Sequence, residues 1–350
     1  MSSDVSRAGG TYSEPVAGSH ITVPGEIALT RHEVERTTLR RSDADWLTGA
    51  WSDQQTRVLV VEDGQVLARV DGLDAELILV SPQQAPAGDR FLLGVDDAGV
   101  AYFGVSGSLA QAHGTAAVNK GAGITPDAGN GQAAGPGRDP GLRRAGLREV
   151  GTLLTDRDAG LLTHAIALAN WHRVAGFCPR CGSPTRPEMA GHSRRCTADD
   201  SEHFPRCDPA VIMSVTDPAD RILLARNVQW PQGRVSVLAG FVEPGESAEQ
   251  AVAREVYEET GVVVSSVTYA GSQPWPMPHN LMLGFRAQAD GGEIIVDGDE
   301  IAEARWYSRD DLRRALESGA MRMPPSLSIS RWLIETWFGA DLPAPVRTAG

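Results

Sequence analysis

The chain has 350 residues, 41% of them hydrophobic and 22% charged, which suits a globular protein of two or three domains. With 45 acidic against 32 basic residues its net charge is −13, so a broad grip on nucleic acid or on an anionic membrane is not expected. No run approaches the roughly 18–20 uncharged apolar residues of a membrane span, and the opening residues carry no apolar signal core, so a cytoplasmic location is expected.

Residues 1–24 read as a disordered or loosely attached tail, and residues 25–175 as a β-rich N-terminal domain. Residues 58–61 and 66–70 flank Asp63-Gly64, a dipeptide that favours a two-residue hairpin turn. Residues 77–80, 91–95 and 100–105 continue the strand pattern. Residues 118–146 are rich in Gly, Ala, Pro and Asp and lack apolar periodicity, which predicts a flexible insertion. A helix is expected over 158–174, with Leu161, Leu162, Ala165, Ile166 and Ala169 on its apolar side.

All four cysteines, Cys178, Cys181, Cys196 and Cys207, fall in 176–208. Cys178 and Cys181 are two residues apart, a spacing from which both thiolates reach one tetrahedral ion. The second half-site is broken, because Cys196 is followed three residues on by Asp199 and eleven residues on by Cys207. A disulfide is disfavoured in a cytoplasmic protein. Structural zinc on Cys178, Cys181 and Cys196 is expected, with Asp199, His203 and Cys207 competing for the fourth position; four free thiols are the alternative.

Residues 209–340 alternate strand and helix patterns, which predicts an α/β/α sandwich around a mixed sheet. Strands are expected over 210–215, 222–226, 235–242, 262–270, 281–287 and 305–307, a short helix from Ser308, and an amphipathic helix over 327–338. Within GFVEPGESAEQAVAREVYEETGV, Ser247 and Gln250 form a capping-box signature and Gly261 suits a left-handed C-terminal cap. Ala248, Ala251, Val252 and Val256 give the helix between them an apolar face. Glu255, Glu258 and Glu259, at i, i+3 and i+4, share one surface. Alone, such a trio is a solvated acidic face. Gly240 and Glu246 at fixed distances upstream argue instead for a site, and hard carboxylate oxygens suit Mg²⁺ or Mn²⁺.

Gly240-x5-Glu246-x7-Arg254-Glu255-Val256-x-Glu258-Glu259-x-Gly261-Val262 resembles the Nudix box at every fixed position. Downstream, Ser272-Gln273-Pro274-Trp275-Pro276-Met277-Pro278-His279-Asn280 resembles the SQPWPxPxS array of the NADH pyrophosphatase (NudC-type) subfamily. The resemblance covers most of 140–340 and, loosely, 25–110. It implies a Nudix fold preceded by a zinc-ribbon-like segment and a β-rich domain. It also implies hydrolysis of the pyrophosphate of NADH and NAD⁺, removal of NAD caps from RNA 5′ ends, and a homodimer.

Residue by residue, the resemblance gives Arg254 the task of orienting a glutamate, and gives the Ala239 carbonyl and Glu300 a place at the metal beside Glu255, Glu258 and Glu259. Glu303 is the next acidic candidate. Arg148 matches a substrate-contacting arginine, Phe241 a ring that stacks on a base or nicotinamide, and Phe204 a position where the family often has tyrosine. The array from Gln273 through Pro274, Trp275, Pro276, Met277, Pro278 and His279 to Asn280 is implied to line the pocket as a proline-stiffened loop, with Gln273 offering polar contacts and Trp275 a flat face. His279 reads as structural or solvent-exposed rather than catalytic. Asn280 stands where the array has serine, and the broken half-site departs from the family's ribbon. Competing readings are an ADP-ribose or dinucleoside-polyphosphate hydrolase, against which the array argues, and a ligand-sensing regulator, against which the intact glutamates argue.

Overall fold

The computed structural model describes residues 27–113 and 141–343. The tail read over 1–24, and the insertion up to residue 140, lie outside the described residues. In the N-terminal part the elements run α1 (Ala44–Ser52), β1 (Arg57–Val61), β2 (Gln65–Asp71), β3 (Asp74–Leu77), β4 (Arg90–Val95), β5 (Ala101–Ser106), α2 (Leu109–His113), β6 (Leu142–Gly146), α3 (Leu147–Val150) and α4 (Asp156–Val174). Two corrections to the sequence reading arise here. The turn at Asp63-Gly64 forms, with φ of 53° and 74° and a bridge between Glu62 and Gln65, but the strands it joins leave for different sheets. β1 pairs in parallel with β5, whereas β2 pairs antiparallel with β3 and β6. Residues 142–146, expected to be flexible, are β6, because β2 offers them a partner edge.

α4 has the signals of a well-bounded helix. The Thr155 side chain caps it by accepting from Asp158 N–H, acids occupy its first turn, and His172 and Arg173 occupy its last. Leu161, Leu162, Ala165 and Ile166 are buried in a cluster with Leu59 and Phe91 from the sheets and Leu147 of α3, and Trp275 and Met277 of the downstream array pack against the same cluster. The array thus leans on the N-terminal core.

The cysteine segment is a small antiparallel sheet of β7 (Thr185–Glu188), β8 (Ser193–Cys196) and β9 (Glu202–His203). After it come β10 (Asp208–Thr216), β11 (Ile222–Asn227), β12 (Leu238–Phe241), α5 (Ala248–Thr260), β13 (Val264–Trp275), β14 (Asn280–Ala289), β15 (Ile301–Tyr307), α6 (Arg309–Glu317) and α7 (Ile329–Phe338). The sheet is mixed, in the order β13-β14-β10-β11-β15 with β12 also on β10; only β10 and β14 run parallel. Alternation along the strands sends side chains to two layers. Val211, Met213, Val215 and Leu223 pack with α5, while Ile212, Ile222 and Leu224 pack with α6 and α7. This is the α/β/α sandwich expected. Among the described residues no helix is long and apolar enough to cross a membrane.

The array is not a loop throughout. Residues 272–275 finish β13, pairing with 280–283 of β14, so the array is the tip of a hairpin.

Candidate active site

α5 is fixed at both ends as its sequence predicts. Ser247 and Gln250 close a reciprocal capping box, and Gly261 ends the helix at φ 68°. One face packs Ala251, Val252 and Val256 into the sheet, which leaves the glutamates on the opposite side of a rigid element. β12 runs beside it. A Cβ on Gly240 would stand 1.9–2.3 Å from the carboxylate atoms of Glu255, so only glycine lets that side chain lie against the strand.

Arg254 organises the acids. Its guanidinium donates twice to Glu246 (2.6 and 3.1 Å), to Glu255 (2.9 Å), to Glu258 (3.0 Å) and to the Phe241 carbonyl (2.9 Å). Glu246 in turn accepts from Glu243 N–H (2.8 Å), which clamps the loop before the helix. All five guanidinium contacts go to the box and its flanking strand, so Arg254 is a positioning residue, as the resemblance implies.

Glu259 receives none of that help. It is 4% exposed, and its Oε2 has no hydrogen-bond partner. Burial, followed by the charges of Glu300, Glu255, Asp297 and Glu258, pushes its carboxyl up to about 8. Glu255 is also raised, first by burial. An orphaned carboxylate oxygen among further acids, in no ion pair among the described residues, suits a divalent metal ion. The residues present therefore fit Mg²⁺ or Mn²⁺. Among the described residues the helix glutamates do not converge as tightly as Cys178, Cys181, Cys196 and Asp199 do; Glu258, paired with Arg254 at 3.0 Å, is 58% exposed.

A cavity of ≈ 370 Å³ opens beside Glu259, lined among others by Ala239, Glu300, Arg148, Trp275 and Trp230. It joins acids from the sandwich to Arg148 of α3. Arg148 lies over the Trp275 ring at 5.7 Å and donates from Nε to Met277 Sδ at 3.2 Å. Glu303 is not in the cavity and faces Arg226 at 3.3 Å. Phe241 and Phe204 are 55% and 66% exposed, and neither lines this cavity.

Gln273 corrects the sequence reading. It is 0% exposed, and the polar contacts expected toward a substrate go to backbone instead: Nε2 donates to the carbonyls of Ala28 and Leu327, and Oε1 accepts from Ile329 N–H. Every polar atom of the amide faces backbone, so Gln273 ties the first described segment to the start of α7. Pro274 lines a different cavity, beside Leu29 and Gly160. His279 Nδ1 lies 3.1 Å from Asp208 Oδ2, and Asn280 opens β14 opposite Trp275.

Two residues with a bearing on the site carry no sequence signal. Asn170 of α4 donates to the carbonyls of Pro276 (2.8 Å) and Pro278 (3.3 Å), holding the array tip against the N-terminal part. Asn170→Ala is expected to raise KM for the substrate about three- to tenfold with kcat nearly unchanged, the loss of a hydrogen bond that positions a wall; steady-state kinetics checks it. Arg234 lines the cavity, stacks on Trp230 at 4.7 Å, and is in no ion pair among the described residues. A free guanidinium opposite acids suits a phosphate-bearing ligand. Arg234→Ala is expected to raise KM about tenfold and to flatten its salt dependence, both read from kinetics across ionic strength.

Three family models match consecutive parts of the chain. The NUDIX domain family matches residues 206–327, the NADH pyrophosphatase zinc ribbon domain 173–204, and the NADH pyrophosphatase-like rudimentary NUDIX domain 54–171. The chain is 47% identical over 204 residues to the NAD-capped RNA hydrolase NudC of Mycobacterium tuberculosis, covering 56% of this chain and 65% of that relative. It is 42% identical over 196 residues to the human NAD-capped RNA hydrolase NUDT12, covering 53% of this chain and 42% of that relative. The matches thus span less than two thirds of these relatives' lengths. A solved NUDIX hydrolase of Nitrosomonas europaea is similar with a TM-score of 0.38 at 21% identity, over 48% of this chain and 95% of the other. Three family matches in chain order, on a sandwich that carries the whole box, mean that the chain belongs to the NADH pyrophosphatase (NudC-type) subfamily of the Nudix family.

Proposed function

We propose that the chain hydrolyses the pyrophosphate of NADH and NAD⁺, and the same linkage where NAD caps the 5′ end of an RNA. Water oxygen joins one phosphorus, the bridging oxygen leaves with the other phosphate, and the products are AMP and the nicotinamide mononucleotide. The observation that carries this reading is the cavity that joins Glu259, Glu300 and Ala239 to Trp275 and Arg148. The names of the relatives, both NAD-capped RNA hydrolases, support it.

In this reading Glu255, Glu258, Glu259, Glu300 and the Ala239 carbonyl hold Mg²⁺ or Mn²⁺. When bound, such an ion polarises the phosphoryl oxygens and offsets the charge that builds in the transition state. The chain's own residues do the rest. Arg254 fixes the carboxylates, so little reorganisation is left for the reaction. Arg148 and Arg234 set positive charge on the cavity wall against the pyrophosphate, and Trp275 and Trp230 give ring faces to the base or nicotinamide. A carboxylate of the helix trio takes the proton from the attacking water. The acidic body, at −13, limits contact with an RNA to its capped end.

We also infer a cytoplasmic homodimer; the exposed apolar side chains Val174, Phe177 and Phe204, on and beside the ribbon, support a partner surface there. Chromatographic product analysis with NADH, NAD⁺ and ADP-ribose, each with Mg²⁺ or Mn²⁺, tests the activity. AMP and reduced mononucleotide formed fastest from NADH are expected. Faster turnover of ADP-ribose would leave the hydrolytic site standing and overturn the assignment of the array to a dinucleotide.

A further inference from the structure

The ribbon is built from two turns of one shape. In the first, Cys178 N–H donates to the Ser183 carbonyl (2.8 Å), and Gly182, four residues after Cys178, has φ 75°. In the second, Cys196 N–H donates to the Ser201 carbonyl (2.9 Å), and Asp200, four residues after Cys196, has φ 58°. Aspartate is among the few non-glycine residues that tolerate this conformation. The leading sulfur of each turn accepts backbone N–H groups at 3.4 Å, from Arg180 in the first and from Ala198 and Asp199 in the second. The third residue after the leading cysteine is Cys181 in one turn and Asp199 in the other. The half-site that reads as broken in sequence is therefore whole in space, with a carboxylate where its twin has a thiol.

The ligand atoms of Cys178, Cys181, Cys196 and Asp199 all lie within 4.8 Å of one another. Cys181 Sγ and Cys196 Sγ are 3.4 Å apart, and neither is in a disulfide. Tetrahedral zinc with bonds of about 2.0–2.3 Å sets its ligand atoms roughly 3.5–3.8 Å apart, so the group needs only a small contraction. The two oxygens of Asp199 are used differently. Oδ1 accepts from Ser201 N–H (3.0 Å) and Ser201 Oγ–H (2.5 Å), while Oδ2 faces Cys178 Sγ at 4.0 Å. Anchoring one oxygen aims the other, as outer hydrogen bonds commonly do for metal ligands. His203 Nε2 lies 3.3 Å from Cys178 Sγ and 3.0 Å from Ser201 Oγ, the place of a group that supports a thiolate. Cys207 is exposed and outside the group.

We propose that the ribbon holds zinc through Cys178, Cys181, Cys196 and Oδ2 of Asp199, an S₃O site in which Ser201 and His203 support the ligands. The carboxylate is a harder donor than the thiolate it replaces, so this zinc exchanges more readily than it would from four sulfurs.

The test uses the full chain and does not depend on turnover. Metal content by plasma mass spectrometry is expected to give one zinc per chain, and the cobalt-substituted protein is expected to absorb with the charge-transfer intensity of three thiolates. Asp199→Cys raises that intensity by about a third and slows zinc transfer to a chromogenic chelator. Asp199→Ala speeds the transfer at least about tenfold, whereas His203→Ala changes it far less. Loss of zinc in His203→Ala with retention in Asp199→Ala would overturn the assignment in favour of the histidine. If Asp199→Ala does not fold, Asp199→Cys still decides, because an unchanged cobalt intensity would sink the proposal. A wild-type chain that holds no zinc after purification in zinc-containing buffer would do the same.

Discussion

Glu259→Gln is expected to lower metal-dependent turnover about a hundred- to a thousandfold, and to stabilise the metal-free protein at pH 8 and above. The first effect follows from removing the one helix carboxylate whose buried oxygen has no partner, in a site where a bound cation is worth several kcal/mol to the transition state. The second follows from linkage. The Glu259 carboxyl is pushed up to about 8 in the folded metal-free chain, while an unfolded glutamate titrates near 4.3. Below the unfolded value both states hold the proton and there is no penalty. As pH rises toward 8 the unfolded state alone releases it, so stability falls by as much as a few kcal/mol. Glutamine removes that loss, because it never ionises. The same argument gives the wild-type metal site its pH dependence. In the proposed site binding displaces a proton from Glu259, so affinity for Mn²⁺ is expected to rise with pH up to about 8 and then level off. Calorimetric titration with Mn²⁺ between pH 6 and 9 and melting curves of both proteins check these statements. A Glu259→Gln chain that keeps its metal affinity and its rate would show that the orphaned oxygen has no part in the site.

How far these features can be read before folding depends on whether their cause is local. The capping box at Ser247, the glycine cap at Gly261 and the three glutamates on one side of α5 are set by residues within a few turns of one another, so the spacing alone specifies them. Gln273 is the opposite case. Its partners are backbone groups of residues 28, 327 and 329, and no pattern near residue 273 tells a pocket-facing amide from a buried tie. The Asp63-Gly64 turn was legible because turn chemistry is local, yet the fate of its strands was decided by β5 and β6, which lie far along the chain. Leu142–Gly146 has too few apolar residues to announce itself as a strand, and its pairing comes from β2. Arg234 and Asn170 become functional candidates only through neighbours brought by the fold, Trp230 and the array tip.

Arg254→Lys is expected to cost activity about ten- to a hundredfold although the charge is kept. The arginine makes five donations at once, to Glu246, Glu255, Glu258 and the Phe241 carbonyl, from nitrogens set in a rigid plane. An ammonium has three donors from one point and cannot span Glu246 on the loop and Glu258 on the next helical turn. Glu246 and Glu255 have 16% and 13% side-chain exposure, so losing their partner is also expected to lower the melting temperature. Two readouts separate misplacement from mere instability. The Mn²⁺ concentration for half-maximal rate should rise, because Glu255 and Glu258 no longer start in position, and saturating Mn²⁺ should recover part of the rate at temperatures well below melting. A lysine variant with unchanged metal dependence and a lowered melting temperature would reduce Arg254 to a brace for the loop before α5. A lowered rate together with a raised Mn²⁺ requirement would place the order of the carboxylates, and with it the catalytic power of the helix, under the control of this one guanidinium.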